Sequence, residues 1–290
     1  MAYRIVVDSS ADLPSELAAK LGIVIIPMPV FIDGKTFLEG VEIFPQDFYR
    51  EFNNYSELPK TSQPNPNDVL ATYEKILAEG DEVIAIHLSS GLSSTYQSAI
   101  MVRDMCSKPD KVHVFDSLGA SLGFGLQAIL INEVLNQYNN WEDLEKAIIT
   151  IRDNMRYTFT LDTLEYLVKG GRVSRTAGFV GSLLDVKPIL HINSEGKIDI
   201  FHKVRSRKAS IRKLISIIEQ DNDKPSNQII GISHAACPED ADYLAGEIRK
   251  IMDTRDIIIS DIGCVVGSHV GPGTITLFYQ SNSKNRDHVN

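Results

Sequence analysis

Glu82-Val83-Ile84-Ala85-Ile86, followed at once by His87-Leu88-Ser89-Ser90-Gly91-Leu92-Ser93-Ser94-Thr95-Tyr96-Gln97-Ser98-Ala99, decides the reading of this chain. The first five residues form a short apolar run, the pattern of a strand buried on both faces. From Thr95 to Cys106 the pattern continues as a helix. Between them lies a loop of hydroxyls around Gly91. A strand–loop–helix junction presents unpaired backbone N–H groups and the positive end of a helix dipole. Such a junction suits a small anion, a phosphate or a carboxylate. An ordinary serine-rich helix cap has the same appearance, and this stretch alone does not separate the two.

Working outward, the first half alternates strand and helix. Tyr3 to Val7 reads as a strand, Asp8 to Pro14 as a polar turn, and about Pro14 to Leu21 as a helix closed by Gly22. Asp8 stands at the carboxyl end of this first strand, where open α/β sheets place functional groups, and is equally a turn carboxylate. Ile23 to Phe31 reads as a second strand, and Asp33-Gly34 as a hairpin turn. Phe44 to Phe52 is helical. Thr61 and Ser62 then precede a helix capped by Asn65 with Pro66 in its first turn, carrying Val69, Leu70, Tyr73, Ile76 and Leu77 on one face. Lys111 to Phe115 is a further strand. The helix from about Ser121 to Tyr138 has Gly119, Gly123 and Gly125 near its start, so a neighbouring strand or a ligand chain approaches it closely. Asn140 caps a helix that ends near Met155.

A different pattern begins near Tyr157. A short helix, Thr163 to Lys169, ends in Gly170-Gly171-Arg172, and Ser174 to Leu184 reads as another. Lys187 to Ile192 and Lys197 to Val204 form a hairpin through Asn193-Ser194-Glu195-Gly196. Ala209 to Glu219 and Pro238 to Met252 are helices, while Gln228 to Ser233 and Ile257 to Asp261 are strands. A glycine-rich turn, Gly267 to Gly273, carries His269 into a last strand, Thr274 to Tyr279. The expected fold is α/β in two domains. Residues 1–157 form a parallel, doubly wound sheet, residues 158–280 a mixed α/β domain, and residues 281–290 a polar, disordered tail.

The 290 residues are 43 % hydrophobic and 23 % charged, a globular composition. The net charge of −9 disfavours general affinity for nucleic acid or anionic membranes. Three separated cysteines, without CxxC spacing, fit a reducing cytoplasm and no zinc site. No signal peptide is read at the N-terminus, and the longest apolar run is broken by Pro27 and Pro29, so no membrane span is expected. The Lys203, Arg205, Arg207 and Lys208 cluster reads as a solvated basic face, and His87, His113, His191, His202 and His234 as structural.

GxSxG, Walker A, HExxH and strand-following GxGxxG motifs are all missing. What recurs is a set of donors: Thr61, Ser62, Ser89 to Thr95, His269, Arg172 and Arg205. Neutral hydroxyls with one histidine suit a carboxylate better than a triphosphate, which would bring a lysine-bearing glycine loop and metal-binding carboxylates.

Five segments together resemble the DegV family: Asp8-Ser9-Ser10-Ala11-Asp12-Leu13, Thr61-Ser62-Gln63-Pro64, Leu88-Ser89-Ser90-Gly91-Leu92-Ser93, Leu164 through Arg172, and His269-Val270-Gly271-Pro272-Gly273. Each is weak alone and specific in this order and spacing. The resemblance runs from about Tyr3 to Tyr279. It implies a non-catalytic, cytoplasmic protein that binds a long-chain fatty acid, with the tail entering the first domain. The carboxylate is then held by Thr61, Ser62, Ser93 and Ser94, with His269 reaching over from the second domain. It further implies a partner, the catalytic subunit of a bacterial fatty acid kinase, which forms an acyl phosphate for phospholipid synthesis. Arg172 and Arg205 match basic residues that serve phosphate handling or kinase docking. Ser94 stands where the family often has glycine. No metal and no cofactor beyond the bound fatty acid is implied. Two other readings stay open: a phosphotransferase of the dihydroxyacetone-kinase type, and a lipid hydrolase using Ser93 and His269.

Overall fold

The computed structural model describes residues 2–173 and 186–283. Its elements in chain order are β1 (Tyr3–Asp8), α1 (Ser15–Leu21), β2 (Val24–Ile26), β3 (Pro29–Ile32), β4 (Lys35–Leu38), α2 (Pro45–Glu51), β5 (Lys60–Thr61), α3 (Pro66–Ala78), β6 (Glu82–His87), α4 (Thr95–Met105), β7 (Val112–Asp116), α5 (Leu122–Val134) and α6 (Trp141–Asn154). They continue with β8 (Met155–Thr160), α7 (Glu165–Lys169), β9 (Val186–Ile192), β10 (Ile198–Arg205), α8 (Arg207–Gln220), β11 (Gln228–His234), α9 (Pro238–Ile251), β12 (Thr254–Asp261), α10 (Cys264–Val270) and β13 (Ile275–Gln280).

The first sheet has the order β2-β1-β6-β7 and is parallel throughout. Alternation along β1 decides its two faces. Val6 packs with Tyr73, Ile76 and Val102 of α3 and α4, whereas Ile5 and Val7 face the cluster that contains α5. The second sheet has the order β10-β9-β8-β13-β11-β12; only β11 and β12 pair in parallel. Ile189, Ile230, Ile232 and Leu277 turn one of its faces toward α8 and α9, and Tyr157, Phe159 and Phe278 turn the other toward α5. The layers are therefore helices, parallel sheet, α5, mixed sheet, helices.

Helix α5 lies between the two sheets and is apolar nearly all round, as a helix buried on every side must be. Its glycines answer the question of what approaches. A Cβ at Gly119 or Gly123 would run into the Tyr157 ring, and one at Gly125 into the Ala11 carbonyl. The close neighbours are protein. Gln127 supplies the helix's buried amide, donating to the Ser117 carbonyl at 2.9 Å and to Tyr157 Oη at 2.6 Å.

The expected second strand is two strands. Proline lacks the N–H a ladder needs, and at Pro27-Met28 the chain leaves the parallel sheet. It enters a small antiparallel sheet of order β4-β3-β5. Asp33 (φ 48°) and Gly34 (φ 77°) form its hairpin turn. His269 does not sit in a glycine-rich turn but in the last turn of α10. Strand β8 starts at Met155, so residue 157 lies inside the second sheet. The expected helix over 174–184 and the tail from residue 284 lie outside the described residues. Ser281 is buried, and the Arg156 guanidinium donates to its carbonyl at 3.2 Å. Among the described residues no helix is long and apolar enough to cross a membrane.

Candidate functional site

Helix α4 begins one loop beyond the carboxyl end of β6, the edge at which parallel sheets collect ligands. That loop contributes Leu88, Leu92 and Ser93 to the lining of a narrow slot with an open volume of about 70 Å³. The slot runs between the two sheets, walled by Leu88 and Leu92 from the loop, Phe159, Ile192 and Phe278 from the mixed sheet, and Val266 from α10. Its wall is overwhelmingly apolar. Ser121, Thr274 and Thr276 are buried polar residues in its wall, and partly exposed polar side chains gather at one end: Thr61 at the end of β5, Ser93 before α4, His269 in α10 and Arg172 after α7.

Thr61 Oγ1 lies 2.8 Å from His269 Nε2. Burial, assisted by the Arg172 charge, pulls the His269 imidazole down to about 4, so the ring is neutral at physiological pH. Its Nδ1 is buried with no hydrogen-bond partner among the described residues. Ser93 Oγ pairs with Thr95 Oγ1 at 2.9 Å and accepts the Thr95 N–H at 3.3 Å. Arg172 donates through Nε to the Leu92 carbonyl at 3.2 Å and through a terminal nitrogen to the Gly170 carbonyl at 2.5 Å. The set comprises neutral donors around one cation, at the end of a greasy slot. It matches an anion with a long apolar tail.

Two outer clefts open from the same junction. One is lined by Ser62, Gln63, Asn65 and Ser94, the other by Lys60, Tyr166 and Lys169, and Thr61 and Arg172 border both. The candidate residues therefore divide. Thr61, Ser93, His269 and Arg172 line the slot itself. Ser62 and Ser94 are exposed and line only an outer cleft, with Ser94 donating to Gln63 Oε1 at 2.8 Å. Arg205 is exposed at the end of β10 and lines none of the three cavities.

The hydrolase reading finds no support in this geometry. Ser93 is bonded to Thr95 and His269 to Thr61, and among the described residues no acid orients the Nδ1 of His269. Among the described residues no three His, Cys, Asp or Glu side chains group as metal ligands. Asp8 resolves to a scaffold role. It accepts from His87 Nδ1 at 3.0 Å, from the Leu88 N–H at 3.1 Å, and from the Ser10 hydroxyl and N–H.

Sequence reasoning missed a buried acidic pair, Asp12 and Glu39, beside α10. Asp12 accepts from Ser121 in the slot wall and from the Gly263 N–H. Burial raises both carboxyls, and their mutual proximity raises Asp12 further. Ser121 (φ 56°) and Leu118 (φ 48°) hold left-handed backbone in the β7–α5 loop, a cost of about 1–3 kcal/mol each that neighbouring structure must impose. No local sequence signal marks the acidic pair, because its partners are distant in the chain.

The DegV family model, described as an uncharacterised protein family, matches residues 2–282. The chain belongs to the DegV family. The DegV protein of Bacillus subtilis is 34 % identical over 276 residues, covering 95 % of this chain and 98 % of that one. The crystal structure of that organism's DegV, named a fatty acid binding protein, superimposes with a TM-score of 0.86 at 33 % identity, covering 97 % of this chain and 100 % of that one. A DegV family protein from Thermus thermophilus, described for its fatty acid binding, gives a TM-score of 0.88 at 28 % identity, covering 97 % and 100 %. The DegV architecture, a parallel sheet beside a mixed one, is thus the fold of this chain.

Proposed function

We propose that this DegV chain binds a long-chain fatty acid, with the tail in the slot and the carboxylate at Thr61, Ser93 and His269. The observation that carries the reading is the apolar slot ending at neutral donors. Burying a methylene gains roughly 0.8 kcal/mol, so about fifteen would gain on the order of 12 kcal/mol before the costs of association. The tail supplies affinity, and the donors offset carboxylate desolvation and fix which end stops at the mouth.

The imidazole proton has one useful place. On Nδ1 it would be a buried donor without a partner, while on Nε2 it is given to Thr61 Oγ1. Thr61 then turns its own O–H toward the carboxylate. His269 acts as a neutral donor in this scheme and carries no charge of its own. Ser62 and Ser94 contribute at the rim, where a carboxylate meets solvent.

The chain would act as a non-catalytic subunit that presents this carboxylate to a separate fatty acid kinase, and the acyl phosphate formed would feed phospholipid synthesis. Support comes from the two outer clefts, which leave the headgroup reachable while the tail stays buried. Arg172, at the junction, is assigned to the incoming phosphate, and exposed Arg205 to kinase docking. Mass spectrometry of lipid extracted from the purified protein should find one long-chain acid per chain. Addition of the kinase and ATP should convert it to acyl phosphate. Protein that carries no fatty acid and takes up none when offered would defeat the binding reading. Protein that binds but is never phosphorylated on its ligand would defeat the kinase assignment alone.

A further inference from the structure

Helix α10 has seven residues, Cys264-Val265-Val266-Gly267-Ser268-His269-Val270. Two turns rich in Val and Gly do not persist on intrinsic preference. This helix nevertheless carries His269, so outside contacts must hold it. At its start the Gly263 N–H donates to Asp12 Oδ1 at 2.9 Å and the Val265 N–H to Glu39 Oε1 at 2.8 Å. Gly263 permits this approach, since a Cβ there would strike both carboxylates. At its other end His269 meets Thr61.

Both attachments lead to the same small sheet. Glu39 follows β4 directly, Thr61 ends β5, and β3 lies between them. A seven-residue helix is about 10 Å long, and two strand spacings also span roughly 10 Å. α10 therefore bridges the sheet from edge to edge. Glu39 is itself fixed: its N–H donates to the Met28 carbonyl at 3.0 Å, and its second carboxylate oxygen accepts from Ser9, which also accepts the Met28 N–H at 3.1 Å. Met28 in turn lines the slot.

We infer that Glu39 is a positioning residue for the headgroup site, acting through α10 to set where His269 meets Thr61. The inference takes its ligand, a fatty acid, from the function proposed above. Asp12 shares the grip but also bonds Ser121 in the slot wall, so Glu39 gives the cleaner test.

The test is a double-mutant cycle on the full chain, with stearate as the probe and the His269 side-chain resonances read by nitrogen-15 NMR. Glu39→Ala and His269→Ala should each weaken stearate binding about tenfold, and the double variant should bind no worse than His269→Ala alone. Glu39→Gln, which keeps the length and an acceptor oxygen, should recover most of the affinity. The His269 resonances should move in Glu39→Ala and return in Glu39→Gln. If Glu39→Ala does not fold, Glu39→Asp, one methylene shorter, takes its place with the same expected outcome. Additive losses, or unmoved His269 resonances in a folded Glu39 variant, would overturn the inference and leave Glu39 a stability element. If His269→Ala leaves stearate binding intact, the headgroup assignment fails instead, and the resonances alone decide the role of Glu39.

Discussion

Two histidines of this chain, His87 fully buried and His269 partly buried, differ in their hydrogen bonding. His87 is sealed between the parallel sheet and α3, with Asp8 on Nδ1 and Tyr73 Oη 2.9 Å from Nε2. His269 has Thr61 on Nε2 and nothing among the described residues on Nδ1. The acid–histidine–hydroxyl series around His87 resembles a catalytic arrangement, yet it borders no described cavity and every polar atom in it is satisfied. The incompletely satisfied site is the one that opens onto the slot. His87 is bonded on both ring nitrogens and belongs to the scaffold, whereas His269 reaches the slot together with Thr61.

The largest expected effect falls on the scaffold side. His87→Ala strips a buried carboxylate of a donor and should cost about 3–5 kcal/mol of stability in urea unfolding. The protein that remains folded should bind stearate as the wild type does. Equal stability would erase the contrast between the two histidines.

Next is a pH effect specific to His269. Its folded-state value of about 4 lies below the 6.5 of an exposed imidazole, so between those values the unfolded chain holds the extra proton. Stability from this residue is complete above pH 6.5 and is lost as pH falls toward 4, by up to ~3 kcal/mol. Asp12 and Glu39, raised by burial, act in the opposite sense, with the native state gaining relative stability as they protonate. The histidine part is isolated by following the difference between wild type and His269→Ala, which should shift toward the variant on acidification. A pH-independent difference would mean an imidazole with ordinary titration.

Ser93→Ala should weaken stearate binding by ~1.5–3 kcal/mol, roughly 10- to 150-fold, as for one lost bond to a charged group. Its stability should fall by only about 1 kcal/mol, the worth of the contact with the start of α4. The smallest effects belong to the rim. Ser62→Ala and Ser94→Ala should each change stability by under ~0.5 kcal/mol and affinity by about twofold or less. A Ser94 effect as large as that of Ser93 would move the headgroup outward into the cleft.

Much of the fold was legible because its signals are local. Asn65 and Asn140 cap their helices by accepting the Asn67 and Asp143 N–H groups, as residue type and position foretold. Asp33-Gly34 turns a hairpin, and the hydroxyl loop after β6 does lead into α4. Thr61 and His269, 208 positions apart, were paired only through family resemblance, and the structure brings them into contact. The rest was illegible because it depends on partners far along the chain. α10 looks like a glycine turn until Glu39 and Asp12 take its N–H groups. Gly119, Gly123 and Gly125 gave no hint whether protein or a ligand would fill their space; Tyr157 fills it at the first two and the Ala11 carbonyl at the third.

A crystal structure of the protein with stearate tests the central claim most directly. The account predicts one extended chain between the sheets, its carboxylate within hydrogen-bond reach of Thr61 Oγ1 and Ser93 Oγ, and its tail against Phe159 and Phe278. A slot that stays closed and empty, or a chain lying with its carboxylate away from Thr61 and Ser93, would contradict it.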